Sequence, residues 1–164
     1  MEQLNITNGL PAIGGEQKGS LETIQYIVIR LGAEQYGIDI RYIDNIVRMQ
    51  KITRVPKVPE YLRGVINLRG EVIPVMSLRL KMNLPADEYS KSTRIIILKL
   101  EQQGNIGVIV DQVNEVVTLT PNEIEKIAYD NKEGKVNFIN GVGKYKGELI
   151  SLLDLNTVTL DENV

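Results

Sequence analysis

Apolar residues in this chain gather into short runs separated by turns rich in glycine and charge. Gln25–Leu31 carries Tyr26, Ile27, Val28, Ile29 and Leu31. Gly32–Gln35 interrupts it, and Tyr36–Ile40 resumes it, which predicts a hairpin. Thr93–Leu100, with Ile95, Ile96, Ile97, Leu98 and Leu100, reads the same way and is followed by a turn over Glu101–Asn105 and a strand over Ile106–Val110. Gly64–Leu80 predicts a further hairpin turning at Arg69-Gly70. Val65, Ile66, Leu68, Val72, Ile73, Val75 and Met76 are each available to a core, and Gly70 supplies the positive φ that a tight turn needs. Pro74 inside that pattern suits an edge strand or a bulge. Phe138–Leu155 predicts a last hairpin, followed by a short helical turn and a frayed end.

Between these hairpins the period changes. Ile40, Ile43, Ile46 and Val47 recur at helical spacing, as do Val110, Val113, Val116 and Val117, and both sets predict a short helix. Glu60–Arg63 and the stretch from Thr120 or Pro121 to Ile127 read as helical turns. Met49–Val55 reads as strand or irregular, with Pro56 and Pro59 breaking any regular element. Residues 1–20 hold Gly9, Pro11, Gly14, Gly15 and Gly19 without an apolar period and read as a flexible tail. Leu84–Ser92 is a polar link, Asp130–Gly134 a loop, and 156–164 a C-terminal tail.

The pattern occurs twice. Gly37 corresponds to Gly107, and at that offset Ile40, Ile43, Ile46 and Val47 meet Val110, Val113, Val116 and Val117. Gly64-Val65 corresponds to Gly141-Val142, Gly70-Glu71 to Gly147-Glu148, and Leu78 to Leu155, at an offset seven positions longer. The extra residues fall around Asp130–Gly134, where insertions are tolerated. Short strands at regular spacing with glycine turns suggest one small barrel per half.

Composition narrows the chemistry. The 164 residues suffice for a core without staples. There is no Cys and no His, so the commonest metal ligands and the commonest general base are missing. The paired carboxylates Asp39/Asp44 and Glu123/Glu125 are the remaining enzymatic option, and both read more simply as solvated faces. A net charge of −2, one Phe and no Trp argue against a nucleic-acid module. No apolar run reaches the roughly 18 residues of a membrane span, and no signal pattern opens the chain, which points to a cytoplasmic protein. The two hairpin tips differ: Asn67 and Arg69 in the first copy stand where Lys144 and Lys146 stand in the second. Arg69 reads either as a solvated turn residue or as a contact presented on a stiff scaffold.

Tyr36-Gly-Ile-Asp-Ile, the Ile43–Val47 segment and Gly64-Val-Ile-Asn-Leu-Arg-Gly-Glu-Val-Ile-Pro-Val together resemble the CheW family of bacterial chemotaxis coupling proteins, from about Ile24 to Leu155. The same domain ends the kinase CheA and begins the adaptor CheV. With neither a kinase core nor a receiver domain in the sequence, a free-standing CheW fits best. The resemblance implies a mainly β fold of two interlocked five-stranded barrels about a pseudo-two-fold axis. It places one CheW-like domain at 21–155, with a first barrel about 24–84 and a second about 93–155, and is compatible with exchange of a strand between them. It implies a non-enzymatic adaptor without cofactors that joins chemoreceptor tips to the regulatory domain of CheA and meets further CheW copies in rings. Carried over by position, the resemblance implies receptor-binding residues at Arg69 on the hairpin and at Ile43 and Asn45 on the segment facing the groove between barrels; Asn67, which like Arg69 is kept only in the first copy, is expected to join them. Kinase-binding residues are not placed. Asn45 stands where the family often has an acid, and Ser77 where it usually has Asp, which the second half keeps as Asp154.

Overall fold

The computed structural model describes residues 22–101, 103–127 and 138–159. The tail at 1–20, the loop at Asp130–Gly134 and the end beyond 159 lie outside the described residues. The first half supplies β1 (Ile24–Leu31), β2 (Glu34–Asp39), a 3₁₀ turn at Ile40–Tyr42, β3 (Ile43–Arg48), β4 (Leu62–Leu68), β5 (Glu71–Ser77) and α1 (Leu78–Lys81). The second supplies β6 (Arg94–Leu100), β7 (Gly104–Val110), β8 (Gln112–Leu119), a 3₁₀ turn at Pro121–Glu123, β9 (Ile124–Lys126), β10 (Ile139–Tyr145), β11 (Glu148–Leu153) and α2 (Leu155–Val158). The two halves follow the duplication in the sequence, except that β9 is matched only by an isolated bridge at Thr53 and that the 3₁₀ turn precedes β3 in one half and β9 in the other.

The strands form two sheets, ordered β8-β1-β2-β11-β10-β9 and β3-β6-β7-β5-β4. Each sheet takes the leading hairpin of one half and the remaining strands of the other, so the halves are interlocked. The parallel pairs β5–β7 and β11–β2 are the joints. Both sheets are rolled. Leu119 and Ile124 end the outermost strands β8 and β9, and five residues of chain span at most about 18 Å. The outer strands of a flat six-stranded sheet would stand about 24 Å apart. In the other sheet the chain leaving β3 at Arg48 reaches the open side of β4 by Thr53, whose N–H and C=O bond reciprocally to Val65 at 2.8 Å each.

Rolling creates three apolar interiors. One fills the first sheet (Tyr26, Val28, Val117, Leu119, Ile150, Leu152) and one the second (Ile66, Ile73, Val75, Ile95, Ile97, Ile109). The largest lies between the sheets and draws on both, from Ile27, Ile29 and Ile38 to Ile96, Leu98 and Val108. Strands β1 and β6 are therefore covered on both faces. This is why Tyr26–Ile29 and Ile95–Leu98 are unbroken apolar runs without alternation.

Of the two short helices predicted at Ile40–Val47 and Val110–Val117, the first is helical only in the 3₁₀ turn Ile40–Tyr42 before it becomes strand β3, and the second runs from the end of β7 into strand β8; β3 and β8 are each bulged. Between Ile43 and Asn45 the register against β6 shifts, so that Ile43 opposes Leu98 and Ile46 opposes Ile96. A bulge adds one residue to a period of two, which leaves Ile43 and Ile46 on one face at a spacing of three. Both pack on the inter-sheet core, while Val47 turns to the interior of its own sheet. In β8 the shift near Asn114 likewise puts Val113 and Val116 on one face, Val113 on the inter-sheet core and Val116 exposed. Four further differences are local. Leu62 and Arg63, read as the end of a helical turn, open strand β4, and Ile124–Lys126 leaves its helical turn for strand β9. Pro74 lies in an inner strand, where its missing N–H is harmless because pairing with β7 begins one residue later, at Val75. Val72 is 63 % exposed, not in the core, because it pairs with Asn67 on the outer face.

The link after α1 is anchored by charge. Arg79 holds Asp111 through Nε–Oδ1 at 2.9 Å and Nη2–Oδ2 at 2.5 Å and donates to the Pro85 carbonyl at 3.1 Å. Asp111 also accepts the Gly32 N–H at 2.8 Å. The Arg79 hydrogen bonds hold the Asp111 carboxyl below its usual range against the opposing effect of burial. A carboxyl depressed by folding stabilises the fold above its unfolded pKa, and that contribution is lost as pH falls through the folded one. Ser77, buried at the N-cap of α1, accepts the Leu80 N–H at 3.1 Å and donates to Asp87, much as Asp154 caps α2 through Thr157. Burial pushes the Asp87 carboxyl up, an effect of opposite sign. Arg79→Met is expected to cost about 1–2 kcal/mol at neutral pH. The deficit shrinks in acid as Asp111 protonates, which urea unfolding of both proteins at neutral and acidic pH measures.

Candidate functional site

The register of β4 against β5 ends at Leu68 opposite Glu71, so the loop is two residues, Arg69 and Gly70. Both have positive φ, 54° and 83°. This is the hairpin turn whose twist matches its flanking strands. Arg69 occupies the left-handed region at a cost of about 1–2 kcal/mol, which the β4–β5 ladder imposes on it. Its twin has the same geometry, with Lys146 at 51° and Gly147 at 80°. The turn is thus a property of the fold, and the side chain mounted on it is the variable.

Two contacts stiffen the first tip. Asn67 Oδ1 accepts the Gly70 N–H at 3.2 Å, and Asn105 Nδ2 on β7 donates to Glu71 at 3.1 Å. Arg69 is exposed and has no hydrogen bond or ion pair among the described residues. Its guanidinium stands free on a braced hairpin, and Val72 is exposed opposite Asn67 in the same ladder. Lys144, in the place of Asn67, has no side-chain oxygen to close the second turn. Asn67→Ala is expected to cost about 0.5–1 kcal/mol, against less than about 0.5 kcal/mol for Lys144→Ala, as read by urea unfolding.

Ile43 and Asn45 sit on β3, at the far end of the strand order from β4. Ile43 is half-buried and packs on the inter-sheet core. Asn45, just past the bulge, opposes Ile97 and folds its Oδ1 back onto the Ile46 N–H at 2.8 Å. Opposite residues share a face, and Leu98 and Ile97 point to opposite faces of β6. Ile43 and Asn45 therefore do not form one patch. The structure pairs Asn67 with Arg69 at one tip and leaves Ile43 and Asn45 on a separate strand. Sequence reasoning missed Val72 and Asn105. Strand alternation carried one step from Asn67 was a signal for Val72, whereas Asn105 comes into reach only through the β5–β7 pairing.

One member of each carboxylate pair is held by a local partner. Asp39 is taken up by Arg41, which grips it at 3.1 Å and 2.7 Å, and Glu123 accepts the Thr120 N–H at 2.8 Å at the start of its 3₁₀ turn. No helix among the described residues is long and apolar enough to cross a membrane.

The family model of the CheW-like domain matches residues 25–162. The chain belongs to the CheW-like domain family. It is 38 % identical over 132 residues to the chemotaxis protein CheW of Bacillus subtilis, covering 80 % of this chain and 84 % of that protein. It is 33 % identical over 145 residues to CheW of Helicobacter pylori, covering 88 % and 87 %. Its fold is similar to the crystal structure of the scaffolding protein TtCheW from Thermoanaerobacter tengcongensis. That match has a TM-score of 0.78 and 31 % identity, and covers 87 % of this chain and 97 % of that one. The interlocked sheets are thus the CheW scaffold, a mainly β fold belonging to a family of non-catalytic adaptors.

Proposed function

We propose that this protein is a scaffold of bacterial chemotaxis, coupling chemoreceptors to the histidine kinase CheA. The observation that carries this reading is the near full-length likeness, in sequence and fold, to chemotaxis CheW proteins. The mechanism is geometric. Two sheets share one continuous core, so the molecule is a single stiff body offering separate faces to separate partners. A scaffold of this kind shifts a kinase equilibrium only through contacts that differ between receptor states.

Arg69 and Asn67 are assigned to the chemoreceptor's cytoplasmic tip as one contact, with Ile43 and Asn45 on β3 as separate contacts on opposite faces of that strand. A cation on a braced turn keeps its ordering cost low on binding. The regulatory domain of CheA takes another face, further copies extend the assembly into rings, and the protein works in the cytoplasm at receptor arrays. The test is retention of the purified protein on immobilised receptor-tip constructs and on the CheA regulatory domain. Binding to both is expected, and binding to neither overturns the reading.

A further inference from the structure

A cleft lies beside the corresponding seam of each sheet; the two share three matched positions and differ in charge. Thr53 bridges Val65 in one sheet, and Glu125 pairs with Val142 at the matching place in the other. Beside the first seam lies a cleft of about 390 Å³ lined by Met49, Lys51, Ile52, Arg54, Arg63 and Tyr89, with Gln50. Beside the second lies one of about 450 Å³ to which Ile124, Lys126 and Asn140 contribute, the counterparts of Ile52, Arg54 and Arg63.

In the second cleft the cations are balanced. Arg41 is bound by Asp39, and Asp154 faces the same space as Lys126. In the first, no carboxylate lines the wall. Arg63 donates to the Glu60 carbonyl at 3.1 Å, which fixes its guanidinium without neutralising it. Lys51 and Arg54 have no hydrogen bond or ion pair among the described residues. At the matched positions Lys126 stands for Arg54 and the neutral Asn140 for Arg63, so the surplus of cations at the first seam is not a requirement of the fold. It is a local positive site on a chain of net charge −2.

The geometry points to this cleft as a docking site for an acidic protein segment, carboxylates on Lys51, Arg54 and Arg63 and an apolar side chain on Met49, Ile52 and the exposed ring of Tyr89. The mixed lining favours a peptide over other anions. A nucleic acid needs a longer cationic track and more rings to stack on, and a free phosphate has no use for the apolar floor. The site shares no residue with Ile43, Asn45, Asn67 or Arg69, so it stands or falls apart from the receptor reading.

The test uses the full chain and a fluorescein-labelled peptide of Asp and Glu around a central Leu, with an Asn/Gln version as control. The acidic peptide is expected to shift the amide resonances of Met49–Arg54, Arg63 and Tyr89, to weaken with salt, and to outbind the neutral one. Lys51→Glu with Arg54→Glu is expected to weaken it about tenfold or more, with circular dichroism unchanged. Lys126→Glu at the second seam should alter it by less than about twofold. Shifts confined to other residues, equal loss from Lys126→Glu, or no binding at millimolar peptide each overturn the proposal. So does tighter binding of a single-stranded oligonucleotide, or inorganic phosphate shifting the same amides as strongly as the peptide.

Discussion

Gly64→Ala is expected to destabilise the protein by about 3 kcal/mol or more, while Gly141→Ala, the same substitution at the twin position, is expected to cost less than about 1 kcal/mol. Gly64 has φ +142°, which side-chain-bearing residues rarely adopt. A Cβ there would lie 2.1 Å from the Thr53 carbonyl oxygen, 2.8 Å from its carbon and 2.9 Å from Ile52 Cγ2. The first two atoms are backbone, held by the reciprocal Thr53–Val65 bonds. Making room for a methyl group means breaking the bridge that holds the rolled sheet along β4. At Gly141 φ is not in the left-handed region, and the nearest atoms are Ile124 Cγ2 at 3.3 Å and the Glu125 oxygen at 3.4 Å, so a shift of a few tenths of an ångström suffices. Urea unfolding of the two variants side by side measures the difference. Equal losses would show that the bridge at Thr53 does not hold the sheet. Against a total stability of about 5–15 kcal/mol for a domain, the Gly64 variant also exposes the chain to unfolding in the cell.

What the residue pattern made legible was the hairpins and the duplication, because glycines at turns and apolar runs in strands are local signals. Gly70 and Gly147 mark the turns they were read to mark, and Ile95–Leu98 is as buried as its composition implies. The two misread helices have one source. A bulge converts alternation into a spacing of three, and Ile43–Ile46 and Val113–Val116 then mimic a helix until their partners in β6 and β1 are known. The interlocking was illegible for a related reason. With two near-identical strand sets in one chain, β5 finds the same kind of neighbour in either copy, and only the β5–β7 and β11–β2 pairings settle which one it takes. At the candidate site, Arg69 could be placed at a tip from Gly70 alone. That its own backbone is left-handed, and that Asn67 and Asn105 brace it, follows from the register and not from the composition.

Arg69→Glu is expected to fold as the wild type does and to abolish receptor-dependent control of CheA. The folding half of this prediction rests on the exposed tip. Arg69 has no partner among the described residues, so its replacement breaks no contact, and glutamate bears the same left-handed backbone on the same turn; the change in stability should stay within about 0.5 kcal/mol. The functional half rests on presentation. An arginine held on a braced hairpin loses little freedom on binding, and arginines so placed are among the residues whose removal costs an interface about 2 kcal/mol or more. Reversing the charge adds repulsion, so affinity for a receptor tip should fall at least about thirtyfold. Lys146→Glu is the matched control, since Lys146 rides an identical turn on the other sheet without an asparagine beside it. If the receptor reads the Arg69 tip and not cationic tips in general, Lys146→Glu keeps receptor binding while Arg69→Glu loses it. Both variants belong in a reconstituted array with receptor tips and CheA, with kinase activity followed as attractant is added. Wild-type control by Arg69→Glu would remove Arg69 from the receptor face, and equal loss from both variants would assign the effect to overall charge.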